Sequence, residues 1–153
     1  MKQQAALDVA RQLQLVDGER FDVMFHGLSM DPLLFEGDHV VVEAATAGDV
    51  QIGDIVVYCD RTEFPARRLV AVDPRRLTLW CDAWPDRIFH VAPNAVVGRA
   101  VARIRNGHRL EASSVEWRTR AERAMAVYRR QRPRFLVRRV GRGLRRRLPG
   151  RSV

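Results

Sequence analysis

The residues predict a mainly β fold. Short valine-rich segments recur through the middle of the chain, Gly-Asp, Asp-Pro and Asn-Gly turns separate them, and helical spacing is confined to the two ends. Near the N-terminus, Ala6, Val9, Ala10, Leu13 and Val16 recur at helical spacing and Asp17-Gly18 ends the pattern, so a short helix is expected within residues 1–19. From Arg20 the period falls to two. Phe21, Val23 and Phe25 alternate with Asp22, Met24 and His26, as in a strand that leads into a turn at Gly27. His39–Glu43 and Ile55–Cys59 read as further strands, entered from the turns Gly37-Asp38 and Gly53-Asp54.

Arg67–Val72 and Arg75–Trp80 flank Asp73-Pro74 and read as a hairpin. Ala95–Ile104 is a late strand in which Gly98 marks a bulge or a close backbone approach. Asn106-Gly107 turns that strand towards His108–Glu111. The β body therefore spans residues 20–112, and residues 113–153 form a basic helical tail. Ser113 to Glu116 match a capping box, with Ser113 as the cap. Trp117, Ala121, Ala124, Met125 and Tyr128 share one face of the helix that follows, and Pro133 is expected to end it. A second segment, 134–148, sets Phe135, Leu136, Val140, Leu144 and Leu148 near helical spacing among arginines, weakened by Gly141 and Gly143.

Composition bounds the rest. A chain of 153 residues with 46% hydrophobic content holds one domain with a core. No apolar run is long enough to span a membrane, and the first residues lack the apolar stretch of a signal peptide, so cytoplasmic residence is expected. Cys59 and Cys81 neither space like metal ligands nor form a framework, and are expected to be buried and reduced. His26, His39, His90 and His108 show no metal spacing; neither a metal nor another cofactor is expected.

The net charge of +9 is unevenly spread. Residues 117–153 hold fourteen arginines against one acid, Glu122, whereas the preceding 116 residues carry a small acidic excess. That tail suits an anionic membrane surface, so peripheral residence at the inner face of the membrane is one expectation. Docking on the acidic body, or a solvated and partly disordered tail, is another. Nucleic acid ranks lower, because no helix-turn-helix or RNA-binding motif accompanies the charge.

Six segments in order carry more specific information: GLSMDP, EGDHVVV, QIGDIVVY, ARRLVAV, LWCDAWPD and AVVGRAV. From about Phe21 to Ile104 their order and spacing resemble the signal peptidase/LexA-like serine peptidase superfamily, most of all its small soluble bacterial members. The resemblance implies a complex β fold with Ser29 as nucleophile in a G-x-S-M-x-P turn, Met30 packed beneath it and Pro32 stiffening its exit. A backbone N–H at that turn would face a developing oxyanion. Asp82 matches the later aspartate that positions the base strand, with Cys81 in place of a glycine. Arg68 matches an arginine of the family, which leaves Arg67 at the position of the general base.

Relatives carry lysine or histidine there. A guanidinium, with a pKa of about 12 or more, does not accept a serine's proton. The only lysine, Lys2, lies in the terminal segment. His26 and His39 are the histidines with a route towards Ser29; as ordinary strand residues they would make local hydrogen bonds. Two functions follow from the resemblance: a serine endopeptidase acting through Ser29, or an inactive member that keeps a peptide- or protein-binding groove. A charged Arg67 suits a bound carboxylate, such as a peptide C-terminus. A LexA-like self-cleaving regulator is disfavoured, since only 28 residues precede Ser29. Trp80 and Trp84 are expected in core and hairpin packing, with a ledge beside a peptide groove as the alternative.

Overall fold

In the computed structural model the backbone is described for residues 18–145 and the side chains for residues 18–133. The predicted N-terminal helix lies outside the described residues. The body is mainly β, with strands β1 (Arg20–Met24), β2 (His39–Ala44), β3 (Ile55–Tyr58), β4 (Ala66–Asp73), β5 (Arg76–Cys81), β6 (Trp84–Val91), β7 (Val96–Arg105) and β8 (His108–Glu111). One helix follows, α1 (Val115–Arg145). All pairings are antiparallel, and the sheet runs β1-β2-β7-β3-β4-β5-β6, with β8 beside β7. The long β7 is the spine: β2 pairs along one side, while β3 and β8 share the other.

Alternation along the strands divides the core. Val40, Val42, Ile55 and Val57 pack with Met30 and Leu33 on one side of the sheet. Val56, Tyr58, Leu69, Leu77 and Leu79 form a second cluster on the other. Gly98 lies on β7 where it pairs with Ala44, at the end of β2. A Cβ there would sit 2.3 Å from the Glu43 carbonyl oxygen, so the close approach expected at this glycine is present.

β6 is the strand the sequence reading omitted. Pro85 and Asp86 mask it, since both are depleted in strands. As the last strand of the sheet order, β6 has an outer edge on which a missing backbone donor costs no ladder bond.

The C-terminal region differs from expectation in two ways. Ser114, rather than Ser113, caps the helix: its Oγ accepts from the Trp117 N–H at 3.2 Å. Glu116 pairs forward with Arg120 at 3.2 Å instead of reaching back to a cap. Pro133 does not end the helix, which continues to Arg145. Proline removes one backbone donor, but Pro133 is exposed, so water can reach the carbonyl it leaves open. The two basic helices expected are therefore one.

The first half of α1 belongs to the body. Trp117 packs into the core around Met30, and Met125 and Tyr128 close over Trp80 and Val70, with the Trp80 and Tyr128 rings 5.8 Å apart. Burial of each such side chain contributes roughly 1.5–3 kcal/mol. Among the described residues, no helix is long and apolar enough to cross a membrane.

Candidate functional site

Ser29 sits in the loop joining β1 to β2. The loop's neck is closed by two backbone bonds, from Phe25 N–H to the Asp38 carbonyl at 2.8 Å and from Gly37 N–H to the Phe25 carbonyl at 2.9 Å. Asp38, 2% exposed, organises the return. Its carboxylate accepts from the Phe35 N–H at 2.7 Å and from Arg105 Nε and Nη2 at 2.7 and 2.6 Å. Burial works to raise this carboxyl's pKa, but the Arg105 and Phe35 hydrogen bonds outweigh it, and the group is held below its ordinary value. Met30, Leu33 and Leu34 are completely buried and anchor the loop to the core. Gly27 takes φ +93°, a conformation that suits glycine, and redirects the chain just before the serine.

Leu28 O accepts from Asp31 N–H at 3.3 Å, so Ser29 occupies the first central position of a tight turn. The Asp31–Pro32 peptide bond within this loop is cis. Ser29 is only 9% exposed, and its carbonyl accepts from the Ala83 N–H at 3.1 Å. The turn is thereby tied to the β5–β6 connection, beside Asp82.

Asp82 holds Arg68. The pair is bidentate, Nε to Oδ1 at 2.8 Å and Nη2 to Oδ2 at 2.5 Å, and Arg68 is fully buried. Arg68 Nη1 also donates to the Gly53 carbonyl at 2.8 Å. This one guanidinium thus joins the Gly53-Asp54 turn, β4 and the β5–β6 turn that supports Ser29.

Arg67, the preceding residue of β4, points to the opposite face. Its Nε donates to the Tyr58 hydroxyl at 2.9 Å, and its Nη1 to Cys81 Sγ at 2.6 Å. The guanidinium lies over the Phe89 ring, 3.6 Å from the centroid. Burial raises both the Cys81 thiol and the Tyr58 phenol, and the Arg67 charge only partly opposes this, so both remain neutral near pH 7. No acid forms an ion pair with Arg67 among the described residues.

Ser29 and Arg67 line one cavity of about 560 Å³. Val23, Phe25 and His26 contribute to it from β1 and its exit, and Thr62 to Ala66 from the β3–β4 connection. The curl of the sheet thus brings the edge strand β1 to face the start of β4. Within the cavity, no histidine or arginine hydrogen-bonds to Ser29 Oγ among the described residues. His26 Nδ1 is instead 3.1 Å from Glu36 Oε1, on a side chain that is 72% exposed. Glu36 also accepts from the Gly27 N–H; that bond first, and His26 second, lower its pKa. His39 begins β2 and lines a separate depression beside Arg105.

The other expected features separate in the same way. Cys59 and Cys81 are both buried and unpaired in disulfide terms. Trp80 is core, with its indole N–H donating to the Pro85 carbonyl at 3.1 Å, while Trp84 lies under Arg87 at the surface; neither lines the Ser29 cavity. Among the described residues, no cluster of His, Cys, Asp and Glu could hold a metal ion.

Sequence reasoning named Ser29, Arg67 and Asp82 but missed Tyr58, Phe64, Phe89 and Glu36. For Tyr58 a signal existed: in the β3–β4 register Val56 faces Arg67, which makes Tyr58 its diagonal neighbour on the same face. In comparisons with known proteins, no protein-family model and no curated protein matches this chain.

Proposed function

We propose that this chain binds an extended peptide in the Ser29 cavity and does not hydrolyse it through the residue at position 67. The observation that carries this reading is the pairing of an open groove with a guanidinium already engaged by Tyr58, Cys81 and Phe89. Among the described residues β1 is an edge strand paired with β2 alone, so its other edge can accept a peptide as an added strand. Val23, Phe25, Phe64 and Ala66 supply apolar contacts along the groove. Serine needs a neighbour that takes its proton near neutral pH, and Arg67 does not provide one.

The competing reading is a serine endopeptidase with Ser29 as nucleophile, positioned by the Asp82–Arg68 pair. What favours it is that His26 shares the cavity with Ser29. Treatment with a fluorophosphonate probe separates the two. Binding without catalysis gives no labelling above that of Ser29→Ala. Labelling that Ser29→Ala abolishes, and that His26→Ala weakens, would establish the peptidase.

The arginine-rich tail has its own proposed partner, an anionic lipid surface. Arg118, Arg123, Arg129, Arg130 and Arg132 are all exposed along α1, and each cation near such a surface contributes about 1 kcal/mol. Co-sedimentation with phosphatidylserine vesicles should fall sharply when Arg129, Arg130 and Arg132 are changed together to Gln. Equal binding by that variant would remove the proposal.

A further inference from the structure

Among the described residues, no acid neutralises the charge of Arg67. Its three contacts are a phenol, a thiol and an aromatic ring, all uncharged near pH 7. Only two of the five guanidinium N–H groups are used by Tyr58 and Cys81, and both N–H groups of Nη2 have no acceptor among the described residues. A half-buried cation of this kind is costly without a counter-anion. Arg68 provides the comparison one residue away, since its charge is met by both oxygens of Asp82. The one acid lining the same cavity, Glu63, is exposed and makes no ion pair with Arg67.

The surroundings of Arg67 also fix its position. Tyr58 holds Nε, Cys81 holds Nη1 and Phe89 supports the plane, so an anion reaching Arg67 from the cavity that it lines meets a guanidinium already held in place, without the rotational freedom of a mobile arginine to lose. Ser29 lines the same cavity, and its hydroxyl makes no hydrogen bond among the described residues. A cation and a free hydroxyl in one groove are the donor set that a carboxylate takes.

We infer that the groove captures a peptide by its free C-terminal carboxylate, with Arg67 as the anion anchor and Ser29 as a second donor. This rests on the peptide-binding reading of the groove and specifies the ligand class: a chain terminus, of the kind that a completed cleavage leaves, rather than an internal segment. The apolar lining from Val23, Phe25 and Phe64 then meets the residues just before that terminus.

The test uses the full chain and two probes, acetyl-Ala-Val-Ala-Val-Ala with a free C-terminal carboxylate and the same peptide as its C-terminal amide. Binding is followed by NMR through the Arg67 Nε–H and the backbone amides of Val23 and Ser29. The acid is expected to bind about tenfold or more tighter than the amide, as a hydrogen bond to a charged partner implies. It should move the Arg67 Nε–H signal, whereas the amide should not. Arg67→Gln should bring the two affinities together and Arg67→Lys should restore part of the difference. Because the acid–amide comparison is made on the unaltered chain, it holds even if an Arg67 variant folds poorly. Equal affinities with shifts at Val23 would overturn the carboxylate inference and leave the groove reading standing. A preference for the acid that persists in a folded Arg67→Gln would overturn Arg67 as the anchor. If neither peptide shifts any groove resonance at millimolar concentration, both the inference and the groove reading fall.

Discussion

Removing the Asp82 carboxylate by Asp82→Ala is expected to cost about 3–5 kcal/mol of stability, because it strands a buried charge. The magnitude follows from what Arg68 retains. Two of its three hydrogen bonds go to Asp82, and the third, to the Gly53 carbonyl, supplies no negative charge. Arg68 is fully buried and the Asp82 side chain is 7% exposed, so water does not readily replace the lost oxygens. Asp82→Asn keeps one acceptor oxygen and loses the charge, and should fall between the wild-type chain and the alanine variant. In a domain of this size the alanine substitution corresponds to a fall in Tm of roughly 10–20 °C.

Urea unfolding of the wild type, Asp82→Ala, Arg68→Met and the double variant measures the coupling directly. The double variant should be much more stable than the sum of the two single losses predicts, because it no longer buries an unpaired ion. Hydrogen exchange adds a local readout, since the Ala83 N–H that bonds the Ser29 carbonyl should lose protection in Asp82→Ala. A loss below about 1 kcal/mol, or additive single-variant effects, would refute the reasoning and reduce the pair to a surface-like ion pair. Unchanged protection at Ala83 would separate Asp82 from the support of the serine turn.

Asp38 gives a pH dependence with a definite sign. Its folded carboxyl titrates below the ordinary value of about 3.9, so it contributes stability above that value, which disappears as pH falls through the folded value. Stability measured between pH 6 and 2 should therefore decline less steeply in Asp38→Asn than in the wild type; parallel curves would mean that Asp38 is not the linked group. Gly98→Ala would put a Cβ 2.3 Å from a backbone oxygen, a contact that a rotamer change cannot relieve. It should destabilise the chain by about 1–3 kcal/mol or more, and an unchanged unfolding midpoint would show that β2 and β7 separate easily where they pair at Gly98.

The strands were largely legible because their signals are local. Valine alternation and the turn residues at Gly37-Asp38, Gly53-Asp54 and Asn106-Gly107 act over a few residues, and β1 to β5, β7 and β8 fall where those signals put them. The exceptions have local causes as well. Pro85 hides an edge strand, and Pro133 suggests a stop that its exposed position does not require.

The site was legible in a different sense. Residue chemistry alone says that Arg67 does not accept a proton, and β alternation implies that Arg67 and Arg68 face opposite ways. The partners of each arginine come from elsewhere in the chain. Arg68 reaches Asp82 and Gly53, 14 and 15 positions away, while Arg67 reaches Tyr58 and Cys81, 9 and 14 positions away. Those contacts exist because β3, β4 and β5 are adjacent and the sheet curls, a property of register rather than of any motif. The consequence for function is the asymmetry between two neighbouring guanidinium groups. Arg68 is paired with Asp82, whereas Arg67 is held in place and has no acidic partner among the described residues. On the proposed reading, a serine turn with that neighbour holds a carboxylate instead of breaking an amide, and the acid–amide comparison tests that reading directly.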